Sequence, residues 1–285
     1  MTHASDERPR LKKFRLELIR LIPRVPNDRA SLKHMMAKSL RDVVLDYLNW
    51  ASRYVAPRPR TVMIELEAQT DPRWVRMQPD ITALLDKVKR GEDLTPHLSI
   101  APHTEGVNLA AQAPNASADD KWSDKDQVLN AMGFHHFHLK PFVKSAGQAP
   151  TNELVFAQVT RDRFNVIALF DHDVFKAGNS ERQRLHSVHE QAMFAGVPPG
   201  SAVIMSQVAL SAHGMPVVLY THRCLSVIKQ IDPKLDDASF VAKLYQDGGR
   251  TPPKKPKLAW HFRSLDLGLY DAKEAIFSIL QKGWI

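Results

Sequence analysis

Two apolar segments joined by four polar residues do most to restrict the fold of this chain. The segments are NELVFAQV, residues 152–159, and FNVIALFDH, residues 164–172, with TRDR between them. Such a short connection between two β-prone segments predicts an antiparallel hairpin. Because VIALF is apolar at every position, its strand should lie inside a sheet and be covered on both faces. The rest of the chain must therefore supply structure on both sides of this hairpin.

Helical patterns precede the hairpin. Apolar residues recur at helical spacing over residues 29–55, which predicts one long amphipathic helix with Asp28 as its N-cap. A second helix is predicted over residues 80–90, and Gly91 follows it at the position where glycine commonly ends a helix. Downstream of the hairpin, the pattern MPVVLYTH favours a strand and DAKEAIFSILQKG favours a final helix.

These patterns predict an α+β protein, with a helical N-terminal region followed by a mostly antiparallel sheet and flanking helices. Residues 1–100 form the mainly helical region. Residues 101–121, APHTEGVNLAAQAPNASADDK, are small, polar and without periodicity, which is typical of a loop or linker. Residues 122–285 form the α+β core.

The charge of the chain favours anionic partners. Its formal net charge is +8 and its pI about 9.5, a balance compatible with nucleic acid or another polyanion. The only cysteine is Cys224, so no internal disulfide framework can form. The sequence has no apolar run of membrane-spanning length and no secretory pattern at its start, so we expect a cytoplasmic protein without a membrane partner.

The histidine-rich segment GFHHFHL, residues 133–139, is the first candidate site. Side chains alternate between the two faces of a strand, so His136 and His138 share one face and His135 lies on the other, mainly apolar face. His136 and His138 would be about 7 Å apart by strand rise. That spacing fits a metal site, an acid–base pair acting on one phosphate, or the water-facing side of an ordinary strand.

Other polar residues are expected to join these histidines. Asp171 and His172 end the second strand of the hairpin, where its exit could bring one of them close to the face of His136 and His138. A carboxylate beside an imidazole suits acid–base chemistry, and His136, His138 and His172 could instead bind a divalent metal. His97, in the loop LTPHLS, is a further catalytic candidate.

Cations near the histidine strand are candidates for substrate binding, because arginine and lysine in loops contact phosphates. The candidates are Lys140, Lys144, Arg161 and Arg163. Several familiar nucleotide and hydrolase signatures are absent from the sequence, including the phosphate loop G-x-x-x-x-G-K-[ST], G-x-G-x-x-G and G-x-S-x-G. ATP hydrolysis, dinucleotide redox chemistry and α/β-hydrolase chemistry are therefore disfavoured.

Residues 130–175, with GFHHFHLK, NELVFAQV and FNVIALFDHDVF, resemble the sheet core of RelE/ParE/HigB-type toxins. The resemblance implies metal-independent RNA cleavage on a sheet face, in which the 2′-hydroxyl attacks the adjacent phosphate. One side chain would take its proton, another would protonate the leaving 5′-oxygen, and cations would stabilise the phosphate. The chain departs from that family in its greater length and in lacking an identifiable arginine-rich late strand.

The sequence thus leads to a toxin-like or defence-related ribonuclease that needs no cofactor. Its partners would be RNA or another polyanion, together with an antitoxin or other partner protein. Two alternatives stay open from the residues alone. One is a His/Asp metallohydrolase acting on phosphate esters with a divalent metal, and the other is a non-catalytic nucleic-acid-binding or scaffold protein.

Overall fold

The computed structural model describes residues 7–24, 27–99, 125–141, 152–176, 178–194, 197–198, 200–201 and 213–285. The predicted α+β class is confirmed. The chain forms two compact units: unit 1 combines Met1–Ser52 with Pro216–Trp284, and unit 2 comprises Arg53–Met215 with Ile285. Unit 1 is thus built from both ends of the chain, whereas the sequence-based division was linear. The proposed linker, 101–121, lies outside the described residues.

The helices and strands begin in unit 1, continue through unit 2 and then return to unit 1. In chain order they are α1 (Pro9–Leu21), α2 (Arg29–Ala37), α3 (Leu40–Ala51), β1 (Thr61–Ile64), α4 (Leu66–Gln69), α5 (Pro72–Arg76), α6 (Gln78–Arg90), a 3-10 turn (Thr95–His97), α7 (Lys125–Met132), β2 (Phe134–His138), β3 (Glu153–Val159), β4 (Arg163–Asp171), a 3-10 turn (His172–Phe175), α8 (Ser180–Phe194), α9 (Met215–Ile231), a 3-10 turn (Asp232–Asp236), α10 (Ala238–Asp247), β5 (Leu258–Arg263), β6 (Asp266–Asp271) and β7 (Ile276–Gln281). Of the helices described, none has both the length and the apolar character needed to cross a bilayer.

The predicted hairpin forms the centre of unit 2. Strands β3 and β4 pair antiparallel, and the backbone N–H of Thr160 donates to the carbonyl of Arg163 across the turn. The sheet order is β1-β4-β3-β2, with β1 parallel to β4 and the other neighbours antiparallel. Among the strands that the structure describes, both hairpin strands are therefore interior, and the histidine-rich strand β2 lies at an edge.

Unit 2 covers its sheet on both faces, as the apolar run VIALF predicts. The five side chains of that run, residues 166–170, are each at most 3% exposed. On the face that contains Phe134 and Phe156, a core forms with residues of α7, α8 and the turn His172–Phe175. The opposite face buries Phe137 and Phe164, whose rings are 5.1 Å apart. Burial on both faces fixes the register, because a one-residue slip would exchange them.

Unit 1 contains the second sheet, whose antiparallel order is β5-β6-β7. Trp260 and Phe262 alternate on one face of β5 and are 1% and 4% exposed. The ring of Phe262 lies 5.7 Å from Phe14 of α1 and 5.0 Å from Tyr47 of α3. The N-terminal helices therefore cover the face of a sheet made from the C-terminal segment.

Three local predictions are wrong, each for an identifiable reason. The helix predicted over residues 29–55 is two helices, because the backbone at Lys38 is extended and Ser39 caps a new helix by accepting from the N–H of Asp42. MPVVLYTH opens helix α9, whose buried stripe follows a helical period. DAKEAIFSILQKG forms a turn and then β7, and Ala275, at φ 52°, leads the chain back to pair with β6.

A matched pair of glycines tests the close contact between the end of α6 and the backbone at Pro59. Gly91 ends α6 at φ +72°, and a Cβ there would lie 2.4 Å from the backbone nitrogen of Pro59, whereas Gly133 has the same φ and nothing within 4 Å of an added Cβ. We expect Gly133→Ala to cost about 1–2 kcal/mol from left-handed backbone strain alone. Gly91→Ala should cost about 1–3 kcal/mol more, because backbone must move. Urea unfolding measures both, and equal losses would contradict the close contact.

Candidate functional site

The histidine strand β2 faces the 3-10 turn that follows β4. The ring centroid of His136 lies 5.3 Å from that of Phe175 and 5.9 Å from that of Phe156. The ring of His138 lies 5.3 Å from the ring of His172, at an interplanar angle of 32°. His136 and His138 therefore share a face, and the exit of the hairpin brings His172 to it. His136 is packed among aromatic rings, so the contact between His138 and His172 is the more polar part of this face.

The tautomer of His172 follows from its hydrogen bond. Its Nδ1 lies 2.9 Å from the backbone carbonyl oxygen of Asn152. A carbonyl can only accept, so Nδ1 carries the proton and Nε2 carries the lone pair when the ring is neutral. His172 is half-buried, whereas His138 is 6% exposed. The pair thus combines an accessible imidazole of defined tautomer with a buried one beside it.

His97 acts on this pair through the backbone. Its Nδ1 donates to the carbonyl of His138 at 2.8 Å, and its Nε2 accepts from Nζ of Lys87 at 3.2 Å. His97 is 2% exposed, and burial lowers its pKa, as does the charge of Lys87, against the opposing effect of the bond to His138. Both ring nitrogens are engaged in the neutral ring. His97 therefore holds the end of β2 in place, which differs from the proton-transfer role that its loop position suggested.

Asp171 is engaged away from the histidines. Its Oδ1 accepts from the N–H of Asp173 and so caps the 3-10 turn, and its Oδ2 lies 3.9 Å from a guanidinium nitrogen of Arg73. The backbone N–H of Asp171 donates to Glu181 at 3.3 Å. The group that orients His172 is the carbonyl of Asn152. Asp171 instead shapes the turn on which His172 lies.

The candidate cations lie at different ends of the sheet. Lys140 is exposed and follows His138 by two residues, at most about 7 Å along the chain. Arg163 is the first residue of β4 and lies seven residues before Phe170. Phe170 pairs with Leu154 of β3, which in turn pairs with His138 of β2. Seven residues span about 23 Å along the strand, so the structure brings neither Arg163 nor the neighbouring Arg161 to the histidines. Lys144 lies outside the described residues.

The alternative metal site does not form in the described part of the chain. Among those residues, no group of three or more His, Cys, Asp or Glu side chains is arranged to hold a metal ion. His136, His138 and His172 share a face, but their rings pack against aromatic residues and one another without converging on one point. The donor arrangement therefore gives the metallohydrolase alternative no support.

A charged cluster lies beyond the end of β4, where β1 and β4 run parallel. The guanidinium of Arg73 donates two bonds to Asp71, at 2.8 and 2.9 Å, and two to Glu181, at 2.9 and 3.2 Å. Arg184 donates to Glu67 at 2.9 Å and to the carbonyl of Leu169 at 2.7 Å. Paired guanidinium and carboxylate groups of this kind fix geometry, because each bond is directional. The cluster ties the helices after β1 to β4 and α8.

A cleft of about 410 Å³ opens beside this cluster. It is lined by Glu67, Thr70, Asp71, Pro72, Arg73 and Arg184. Burial alone would raise the pKa of Asp71, but the hydrogen bonds and charge of Arg73 and the charge of Arg184 hold it below its usual value. The hydrogen bonds to Asp71 in turn raise the pKa of Arg73 above its usual value. Both guanidinium groups are already bonded, Arg73 to two carboxylates and Arg184 to Glu67 and the carbonyl of Leu169, so this cluster is interpreted as a structural clamp.

Sequence reasoning missed this clamp because its members are distant along the chain: Arg73 and Glu181 are separated by 108 residues. The only local signal is the sequence DPR, which is typical of a helix start capped by Asp71. Comparison with known proteins adds nothing to the site, since no family model, no curated protein and no solved structure matches the chain.

The buried histidines predict how stability depends on pH. Burial lowers the pKa of His97 and His189 below 6.5, the usual pKa of histidine. As the pH falls, these two histidines are therefore protonated in the unfolded chain before they are protonated in the folded one. Stability should therefore fall between pH 7.5 and 5.5, by at most about 1.4 kcal/mol for each histidine. His97→Asn keeps a donor for the carbonyl of His138 but cannot titrate. Urea unfolding at both pH values should show a smaller pH-dependent loss in this variant, and an equal loss would contradict the assignment.

Proposed function

We propose that this chain is a toxin-like or defence-related ribonuclease that cleaves RNA without a metal ion. The contact between His138 and His172, with ring centroids 5.3 Å apart, carries the proposal. Two neighbouring imidazoles can divide the work of one base and one acid. A strand leading into a hairpin, on which the resemblance to RelE/ParE/HigB-type toxins rests, is compatible with this function. The buried thiol of Cys224 fits the proposed cytoplasmic location.

His172 is the base in this proposal. Its Nδ1 is held by the carbonyl of Asn152, so Nε2 can accept the proton of a ribose 2′-hydroxyl. The 2′-oxygen then forms a bond to the adjacent phosphorus, and the bond from phosphorus to the 5′-oxygen breaks. His138 donates a proton to that leaving oxygen. The products are a 2′,3′-cyclic phosphate and a 5′-hydroxyl, and the two histidines have exchanged protonation states.

Neighbouring residues have supporting roles. His97 holds the carbonyl of His138 at 2.8 Å and is a positioning residue for the end of β2. Lys140 is exposed near that end, and its ammonium group is the cation assigned to the phosphate. His136 packs between Phe156 and Phe175 and supports the strand. Arg161 and Arg163 are not part of this active site.

Cleavage of a fluorescent single-stranded RNA, with and without EDTA, tests the proposal. His172→Asn keeps a donor for the carbonyl of Asn152 but removes the base, so we expect kcat/KM to fall by about 100-fold or more. His138→Asn should lose a similar factor. His34→Asn, which changes an exposed histidine on α2, should retain full activity. Circular dichroism and urea unfolding check that the variants are folded.

A second substrate makes the assay more specific. A single 2′-deoxy nucleotide removes the nucleophile, so cleavage should stop at that position and continue elsewhere. Retained activity in both histidine variants would contradict the assigned pair, and loss of activity in EDTA would favour a metallohydrolase. Binding of RNA without any turnover would favour the non-catalytic alternative, which the net charge of +8 also favours.

A further inference from the structure

The positive charge of the chain belongs to unit 1. By sequence, unit 1 carries 22 lysines and arginines against 13 aspartates and glutamates, a formal charge of +9. Unit 2 carries 17 against 18, a formal charge of −1. A polyanion is therefore attracted chiefly to unit 1, while the histidine pair lies in unit 2.

The sheet of unit 1 has one face that the described helices of this unit do not bury. Trp260 and Phe262 point to the buried face, so His261 and Arg263 alternate to the other one. In the register, Ala259 pairs with Tyr270, and Tyr270 pairs with Phe277. We call the surface formed by His261, Arg263, Tyr270, Phe277 and Ile279 the open face. Arg263 and Ile279 are exposed, and the three ring-bearing residues are partly exposed.

The rings of the open face form one contiguous cluster. The ring of His261 lies 5.8 Å from Tyr270 and 5.9 Å from Phe277, which it meets edge-on. The guanidinium carbon of Arg263 lies 4.9 Å above the centre of the Phe277 ring. Aromatic rings and guanidinium planes on a sheet are the surfaces on which proteins stack unpaired bases. The cluster is larger than an isolated surface aromatic residue, which would require no explanation.

Lysines border this face at one end of the sheet. Lys257 immediately precedes β5, whose first residue pairs with Asp271 at the end of β6. Lys273 lies two residues beyond Asp271 and is therefore at the same end. Lys254 and Lys255 lie in the loop TPPKKPK that enters β5. These four lysines are exposed, and within the described ranges no carboxylate forms an ion pair with them.

We infer that the open face and its bordering lysines bind single-stranded nucleic acid. Bases stack on Tyr270 and on the plane of Arg263, which itself covers the ring of Phe277, while phosphates contact the lysines. A duplex keeps its bases stacked on one another, so it cannot use the rings. The sheet thus provides the two components of single-strand binding, a stacking surface along its open face and exposed lysines at one end. This inference does not require RNA cleavage and stands or falls separately from the proposed ribonuclease activity.

Fluorescence anisotropy on the full chain tests the inference, with His172→Asn as the background so that binding is measured without turnover. The probes are oligo(U), oligo(dT) and an RNA duplex of equal length. We expect both single strands to bind at least about ten-fold more tightly than the duplex. Tyr270→Leu removes a ring and should weaken single-strand binding by about 5- to 100-fold, whereas Tyr270→Phe keeps the ring and should bind like the parent.

Charge variants test the lysines. Lys257→Gln with Lys273→Gln should lower the slope of log K against log salt by about 0.7 for each phosphate that a lysine no longer neutralises. Lys33→Gln with Lys229→Gln removes the same charge from exposed sites on α2 and α9 and should change the slope little. Unchanged binding in Tyr270→Leu, or equal affinity for duplex and single strands, would overturn the inference. A dimer that dissociates in Tyr270→Leu, without nucleic-acid binding by the parent, would assign the face to a second copy of this chain.

Discussion

Asp232 is the buried charge on which the assembly of unit 1 depends. It is 2% exposed and accepts hydrogen bonds from Nε1 of Trp260 at 2.8 Å and from Nε of Arg10 at 3.0 Å. A buried carboxylate is costly unless donors and an opposite charge offset its desolvation. Because Arg10 and Asp232 are 222 residues apart, Oδ1 of this carboxylate gains its charged donor only when both ends of the chain are together. The open face of β5–β7 exists because this interaction seats Trp260 on the opposite side.

In unit 2 the governing constraint is the burial of β3 and β4 on both faces. The edge strand β2 is two strands from β4, about 10 Å across the sheet. His172 therefore reaches His138 only because the chain leaves β4 through a 3-10 turn that folds back over the sheet. Asp171 caps this turn, and the Arg73 cluster anchors the strand end before it. The position of one imidazole thus depends on a salt-bridge network that never touches it.

Local patterns predicted the parts of the fold that local forces determine. The hairpin, the histidine strand and α6 follow from alternation, turn residues and capping, which act within a few residues. Helix α9 was misjudged because the β-branched residues of MPVVLYTH outweighed a helical stripe that runs from Val217 to Ile228. Strand β7 was misjudged because its partner β6 is what makes residues 276–281 extended, and Gly268 is what lets the strands approach.

The candidate site was predictable to the same extent. A hairpin brings its exit to one end and its turn to the other, so the approach of His172 to His138 followed from the sequence. The same geometry separates Arg161 and Arg163 from the histidines, which attention to nearby sequence alone overlooked. The roles of His97 and of the Arg73 cluster could not be found this way, because each depends on a partner 41 or more residues away.

The positive charge lies in unit 1 and the histidine pair lies in unit 2, and this division connects the two proposals. Unit 2 is nearly neutral overall, so its net charge does little to attract RNA to the histidine pair. Capture of a polyanion instead needs a concentrated positive surface, which unit 1 supplies. The net charge of +8 therefore says little about the histidine site itself. That charge belongs to unit 1, to which binding of a single nucleic-acid strand is assigned. RNA cleavage is assigned to unit 2, whose net charge of −1 attracts RNA very little.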